Sequence, residues 1–345
     1  MRTTGYFNAA SHGVPEVGVY EKMVEYLNCE VRIGPENAAS EYGASIAEVR
    51  HLAASLLGGT KSEVGFSSTT TTAWRSMLSR LDLAGKRVLI APHDWGEFHR
   101  TIKARGDVTV EVLPPLHETN PDLAGWAARF DDDVAALFVP MVTAVGGVRY
   151  PVEAIGALPR PKAMKFVVDG AQALGQMPVD VSRIGCDVFV STGRKWLRGP
   201  RQASMVWVGR SCGFTAGDLE PADKNNALLL GLGVAIEHYL EVGPLKVQAQ
   251  ILARSDRIRD WARARSIPVE AGQTGSVSLV LTEDMSVKVK EILSGGDIIA
   301  KVLDTRRFEP MAYAGGFGQS MRLSPHVYTS DQDMADLFKA LEQVL

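Results

Sequence analysis

The sequence predicts an α/β protein: a large domain with a mainly parallel mixed sheet flanked by helices, followed by a smaller α+β C-terminal domain. Two observations predict this fold. Short apolar runs alternate with helical patterns between about residues 58 and 208, as in parallel sheets covered on both faces. The 345 residues, 46% of them hydrophobic, also suffice for two separate cores. We expect an N-terminal segment at 1–15, a large domain at 16–240 and a small domain at 241–345.

Six apolar runs carry the predicted sheet. They are rich in Val, Ile, Leu and Phe, and Gly, Pro, Asp or Lys bounds them, which is typical of buried strands. Ligands of such sheets bind at the carboxyl ends of the strands. The predicted strands are 87–91, 108–113, 134–140, 165–169, 187–191 and 204–208.

The C-terminal third has a different pattern. A helical stretch at 225–264 leaves the large domain, and strand candidates follow at 276–282, 297–303 and 321–324, with a helix at 287–294. The last predicted helix covers 330–345. Ser330 followed by Asp333 is an N-cap pattern with an acid at the positive helix end.

Composition excludes several classes of function. With 37 basic and 40 acidic residues the net charge is −3, which favours neither nucleic acid nor an anionic membrane as partner. The apolar run 227–236 is shorter than the roughly 20 residues of a membrane span, and the first residues lack a secretory signal. Cys29, Cys186 and Cys212 show no metal-ligand spacing. We expect a reduced, cytoplasmic protein without a metal.

Two polar residues follow predicted strands. Asp169 ends one strand, and Lys195 lies just past the next, flanked by Trp196 and Leu197. Taken singly, Asp169 is as readily a turn cap and Lys195 a solvated surface residue. In apolar surroundings, however, a lysine has a lowered pKa and acts as a nucleophile.

A hydroxyl-rich turn opens a predicted helix at residues 66–78, FSSTTTTAWRSML. One interpretation is an ordinary Ser/Thr N-cap. The other is a phosphate cradle, in which backbone N–H groups and hydroxyls meet a dianion at the positive end of the helix.

Together these segments resemble the fold-type I enzymes that depend on pyridoxal 5′-phosphate (PLP), within them the class V aminotransferase and cysteine desulfurase group. The resemblance rests on Asp169-x-x-Gln172 and on Lys195 with Gly-Pro after it, and it extends over nearly the whole chain. It implies that Lys195 holds PLP as a Schiff base and later moves protons at Cα of the substrate. It also implies that Asp169 pairs with the pyridinium nitrogen and that Gln172 bonds the phenolic oxygen of the ring.

The resemblance assigns further cofactor contacts. Thr69 and Thr70 align with the family's phosphate-binding turn, and Thr70 is the main expected ligand, with Ser191 or Thr192 as another donor. Arg194 replaces the histidine that many members place before the lysine, and it is a candidate phosphate or ring-side contact.

Trp95, in HDWGEF at 93–98, aligns with the residue that stacks on the ring. The alternative is a plain core tryptophan. Where the family has an asparagine this chain has Ala144, and Thr143 is the expected replacement. The phosphate contact that the partner subunit often donates is not evident near Asn225.

Substrate contacts follow in the same way. Arg322, in RLSPHV, is expected to bind the substrate α-carboxylate as a bidentate pair, the alternative being a surface ion pair. His326 is expected to support the loop. Asn8 and His12 of the N-terminal segment, together with 34–42, are expected to line the substrate pocket.

The predicted reaction is β-elimination at a C–S bond, giving pyruvate and ammonia. The stretches VVDGAQALGQ, S-x-x-RKW-x-x-GPR, EHYLEVGP and RLSPHV resemble hercynylcysteine sulfoxide lyase of ergothioneine biosynthesis and related C–S lyases. Cysteine desulfurases carry a small-domain cysteine, but the last one here is Cys212, which argues against a desulfurase.

Other functions remain open. The same residues are compatible with an aminotransferase or with a racemase or epimerase like isopenicillin N epimerase. A non-catalytic PLP-fold binding module is an alternative of another class, and an NAD site at 231–236 lacks the third glycine. By analogy with the family we expect a homodimer.

Overall fold

The computed structural model describes residues 5–116, 121–312 and 318–345. A seven-stranded sheet has the order β2-β8-β7-β6-β5-β3-β4. All its neighbouring strands are parallel except β8, which runs antiparallel to β7 and β2. Its strands are β2 Val64–Ser67, β3 Arg87–Ile90, β4 Thr109–Val112, β5 Val134–Pro140, β6 Lys165–Asp169, β7 Val188–Thr192 and β8 Ser204–Val208.

The mainly parallel sheet is therefore confirmed, and the six predicted strands are present to within one or two residues at either end. The edge strand β2 was not predicted. Its four residues follow a short 3₁₀ turn and show no alternation of apolar and polar side chains, so the sequence does not indicate a strand there. β5 is buried along its whole length, as expected for a central strand with helices on both faces.

Helices cover both faces of this sheet and build much of the smaller domain. They are α1 Val17–Ile33, α2 Pro35–Glu41, α3 Gly43–Leu57, α4 Thr70–Leu78, α5 Gly96–Lys103, α6 Leu123–Ala127, α7 Val152–Gly156, α8 Val181–Ile184, α9 Asn226–Val242, α10 Pro244–Arg263, α11 Glu283–Ser294, α12 Thr305–Phe308 and α13 Asp331–Leu341.

The C-terminal region has its own sheet, in the order β11-β12-β9. The predicted strand at 297–303 is two short strands, and the first of them pairs with the N-terminal strand β1. Ser330 and Asp333 form the predicted capping box at α13. The strands are β1 Gly5–Tyr6, β9 Val277–Val280, β10 Ile298–Ile299, β11 Lys301–Asp304 and β12 Gln319–Leu323.

Within the described residues, no single helix has the length and apolar composition of a membrane span. α9 and α10 meet those criteria only as a pair, which is bent by 84°. Nine residues of α9 are buried, and α9 packs against α1 and α3.

Candidate active site

A cavity of about 320 Å³ opens at the carboxyl ends of β5, β6 and β7, beside the first turn of α4. Parallel strands deliver their following loops to the same edge of the sheet, so this is where a ligand is expected. Ten of the predicted site residues line it: His12, Thr69, Thr70, Trp95, Asp169, Gln172, Thr192, Arg194, Lys195 and Arg322.

Lys195 lies in a turn that its neighbours hold rigidly. Trp196 is buried, and its indole N–H donates to Gln172 Oε1 at 2.9 Å. The carbonyl of Trp196 lies 2.8 Å from His326 Nε2, so His326 connects the C-terminal loop to this turn. Burial lowers the pKa of Lys195 to about 7; Arg194 and Arg322 act in the same direction and Asp169 against it. The amine is thus poised to be neutral and nucleophilic near neutral pH.

Asp169 ends β6 and faces the same cavity. Burial raises the pKa of its carboxyl, while Lys195 and the N–H of Ala171, 2.8 Å from Oδ1, oppose the shift. Burial disfavours the ionised form of this carboxyl, and a positively charged ring nitrogen beside it would stabilise that form.

Gln172 reaches the cavity from the turn after β6. Its amide donates one N–H to Ala10 O at 3.1 Å and accepts from Trp196 through Oε1. An amide nitrogen has two hydrogens, so one remains for a ligand oxygen.

The first turn of α4 forms a cradle of hydroxyl groups. Thr69 is the N-cap and accepts from Thr72 N at 3.0 Å, so the N-cap interpretation also holds. The Thr70 hydroxyl lies on the cavity wall, 3.4 Å from Ser191 O. Thr192 lines the cavity too, whereas the Ser191 hydroxyl is directed to Met205 O at 3.4 Å. Thr192 is therefore the better-placed donor of the pair.

Arg322 is buried, with 4% of its surface exposed, which rules out the surface ion pair. Nη1 donates to Ala144 O and Nη2 to Ser11 Oγ, each at 2.6 Å, and Nε has no hydrogen-bond partner among the described residues. A buried guanidinium that lines a cavity and still has an N–H group to donate suits a carboxylate ligand.

Trp95 is half-buried on the cavity wall, with its ring centroid 5.2 Å from that of Phe308. It is therefore not a plain core residue. Arg194 also lines the cavity and donates from Nη1 to the carbonyl of Ser11, which ties the N-terminal segment to the Lys195 turn.

Thr143, Asn8 and the segment 34–42 are not among the described residues that line the cavity, and the contacts predicted for them stay predictions. The Thr143 hydroxyl accepts from Val148 N at 3.0 Å and so closes a turn. Asn8 forms a backbone bridge with Ser324. The segment 34–42 contains α2, whose only buried residue is Ala38.

His93, Lys301 and Glu309 lie in or next to this site and were not predicted from the sequence. His93 lines the cavity and lies 2.8 Å from Tyr150 Oη through Nδ1; its place two residues before Trp95 was the available signal. Lys301 lines the cavity from β11. Glu309 is fully buried behind the cavity wall, where Oε1 accepts from Val145 N at 2.7 Å.

The residues present fit PLP. The helix terminus with its hydroxyls suits the phosphate, Asp169 and Gln172 suit the two polar atoms of the ring, and Trp95 offers an aromatic face. The buried Ser204 lines the cavity, and its hydroxyl has no hydrogen-bond partner in the described part of the chain, which leaves a further polar group for a ligand. Lys195 supplies the amine for the cofactor's aldehyde.

Comparison with known proteins agrees with this fit. The aminotransferase class-V family matches residues 6–220. A cysteine desulfurase of Yersinia pestis (strain Pestoides F) is 31% identical over 166 residues, 41% of this chain and 41% of that protein. A cysteine desulfurase of Yersinia pseudotuberculosis serotype O:1b (strain IP 31758) is 30% identical over the same length. The matched region thus spans about two fifths of the length of these relatives.

Solved structures share the fold over nearly the full chain. The cysteine desulfurase from Thermococcus onnurineus NA1 superposes with a TM-score of 0.87 at 18% identity, covering 98% of this chain and 94% of that one. The cystine C–S lyase C-DES, in complex with its product cysteine persulfide, gives 0.86 at 18% identity, with 99% and 98% covered. The fold-type I architecture is confirmed, and the chain belongs to the aminotransferase class-V family of PLP-dependent enzymes.

Proposed function

We propose that the protein is a PLP-dependent C–S lyase that acts at Cα and Cβ of an S-substituted cysteine or its sulfoxide. The observation that carries the proposal is the convergence of Lys195, Asp169 and Arg322 on one cavity. These three side chains supply an amine, a ring-nitrogen partner and a carboxylate-binding group. The similarity to proteins described as cysteine desulfurases and as a cystine C–S lyase supports a cysteine-like substrate.

Each residue has a role that its surroundings support. Arg322 binds the α-carboxylate and thereby fixes which face of Cα meets Lys195. The Lys195 amine, with its lowered pKa, takes the Cα proton. Asp169 keeps the ring nitrogen protonated. PLP, when bound, supplies the electron sink for charge that develops at Cα.

The overall reaction is balanced by one water molecule. The Cβ–S bond breaks and the sulfur leaves with the bonding electrons and a proton, as a thiol or, from a sulfoxide, as a sulfenic acid. Water hydrolyses the remaining three-carbon unit to pyruvate and ammonia. No external oxidant or reductant is needed.

The three cysteines favour direct elimination over a persulfide relay. No cysteine follows Cys212 in the sequence, and none of the three lines the cavity. Burial raises the pKa of the Cys186 and Cys212 thiols, which opposes the thiolate form that a sulfur-accepting nucleophile needs.

The test is a product assay on the purified holoenzyme with S-methylcysteine and its sulfoxide. Catalytic release of pyruvate and ammonia is expected, and Lys195→Ala should abolish it. Cys212→Ala is the matched control and should leave the rate unchanged, because its thiol donates only to Asp187 O. Loss of pyruvate release in Cys212→Ala would contradict direct elimination.

Other outcomes identify other functions. A stoichiometric keto acid with newly formed pyridoxamine phosphate would mean transamination. Inversion at Cα without pyruvate would mean an epimerase. A cofactor spectrum that no amino acid changes would mean a binding module.

We also propose that the protein is a homodimer through α1. The residues Val17, Tyr20, Val24, Leu27 and Val31 recur at helical spacing and are exposed, which gives α1 an apolar stripe that solvent does not favour. Light scattering of the pure protein should give a dimer mass, and Val24→Glu should shift it towards the monomer. Val287→Glu, an equally exposed apolar position on α11, is the control. A monomeric wild type would contradict the proposal.

A further inference from the structure

The small-domain sheet places a second cation next to Arg322. In the antiparallel pair β11 and β12, Lys301 lies directly opposite Arg322. Directly opposed residues share a face of a sheet, with Cβ atoms about 5 Å apart. Leu303, two residues after Lys301, lines the same cavity, as the two-residue period of a strand requires. Both cations therefore face the cavity from one surface.

Within the described part of the chain, no carboxylate forms an ion pair with either cation. Lys301 is exposed and Arg322 is buried. Like charges directly opposite each other destabilise a strand pair, so an anion bound next to both would stabilise this arrangement. The buried Glu309 is the acid that faces Arg322, but burial raises its pKa to about 8. It is therefore mostly neutral near pH 7 and leaves the charge of Arg322 available.

The cavity mouth is positive overall. The pKa of His12 is lowered to about 4, first by burial and then by repulsion from Arg194, Arg201, Lys301 and Lys195. The pKa of Lys301 is lowered by burial and then by Arg322, Arg194 and Arg307. These cations make the electrostatic potential at the cavity mouth more positive, and bound anions would reduce the repulsion among them.

The cofactor does not account for Lys301. The hydroxyl cradle lies on α4 and at the end of β7 in the large sheet, with Arg194 in the adjoining turn. Lys301 belongs to the small-domain sheet, together with Arg322. One substrate carboxylate satisfies Arg322, and one cation then remains on the substrate side of the cavity.

We infer that Lys301 binds a second anionic group, on the side chain of the substrate. This inference rests on the proposed function, in which Arg322 binds the α-carboxylate. The substrate class is then an amino acid with two acidic groups, such as a cysteine whose sulfur substituent ends in a carboxylate. Lys301 is the residue that sets this specificity.

The binding test uses succinate and its monoamide succinamate as probes with the holo-protein, measured by calorimetry. Neither probe has an amino group, so neither can react with the cofactor. Wild type should bind succinate about tenfold more tightly or better, the ratio expected for one charge-assisted contact. Lys301→Met should lose the preference, whereas Lys339→Met, an exposed lysine on α13, should keep it.

A substrate pair provides the second readout. S-carboxymethylcysteine and S-carbamoylmethylcysteine have nearly the same size and differ in side-chain charge. Wild type should favour the acid in kcat/KM, and Lys301→Met should reduce the ratio of kcat/KM for the acid to that for the amide to about one.

The results separate this inference from the proposed function. If S-methylcysteine is cleaved but wild type shows no preference for the acidic probes, the inference about Lys301 is wrong and the proposed function stands. Equal weakening of both probes in Lys301→Met would mean that Lys301 shares the α-carboxylate with Arg322, which also overturns it. If no amino acid reacts or perturbs the cofactor spectrum, both fall.

Discussion

The Glu309→Gln variant should gain stability relative to wild type as the pH rises. Glu309 is fully buried and accepts from Val145 N through Oε1, and within residues 5–116, 121–312 and 318–345 its Oε2 has no hydrogen-bond partner. Burial raises its pKa from 4.5 to about 8 despite the opposing effects of Val145, Ala144 and Arg322. Glutamine reproduces the protonated acid in shape and keeps the bond to Val145, but it cannot ionise.

The size of the effect follows from proton linkage. Between the unfolded pKa of 4.5 and the folded pKa of about 8, folded Glu309 keeps a proton that the unfolded chain releases. Its favourable contribution is therefore complete below 4.5 and is lost as pH rises through 8. The loss is about 1.4 kcal/mol per pH unit, or roughly 5 kcal/mol over the window as an upper value.

The assay is urea unfolding of wild type and Glu309→Gln at several pH values between about 5 and 8.5. The difference in unfolding free energy should move in favour of the variant by a few kcal/mol as pH rises. Glu291→Gln, at an exposed position on α11, should show a constant difference. A constant difference for Glu309→Gln as well would refute the neutral, buried state of this carboxyl.

Three further predictions concern acid stability, the Lys195 turn and the cofactor. Burial lowers the pKa of His99 to about 4 and of His326 to about 3, so both imidazoles are neutral in the folded protein. The free energy of unfolding should therefore fall as the pH drops from 6.5 towards 4. His99→Gln should flatten the decline, and an unchanged slope in urea titrations would contradict this. Gly175→Ala should unfold more easily than Gly296→Ala in thermal scans, since both have positive φ but only at Gly175 would a Cβ lie 2.2 Å from Leu197 N; equal losses would be evidence against this tight contact. Trp95→Ala should weaken PLP binding about tenfold in equilibrium dialysis, and unchanged affinity would exclude stacking on the ring.

Much of the large domain could be predicted because its strands are continuous apolar runs, which burial on both faces requires. Asp169 ends one such run and Lys195 lies shortly after another, so the ends of the strands determine the positions of their side chains. β2 was not predictable in the same way. Its four residues acquire their partners only when β8 turns back antiparallel beside them.

Glu309 and Lys301 were missed for a different reason. Glu309 follows α12 and has the sequence surroundings of a surface acid, and only the tertiary structure buries it against Val145. The position of Lys301 opposite Arg322 depends on strand register, which a single sequence does not determine. The Thr143 hydroxyl accepts from Val148 N across a local turn, a contact that the sequence pattern did not indicate.

The central claim is that Lys195 holds PLP covalently, and borohydride reduction of the holo-protein followed by peptide mapping tests it most directly. Reduction fixes the cofactor to the amine that carries it. If Lys195 holds PLP, the label lies on the peptide that contains Lys195, and Lys195→Ala takes up none. Label on Lys301, the other lysine that lines the cavity, or a wild type that cannot be labelled after incubation with PLP, would contradict it.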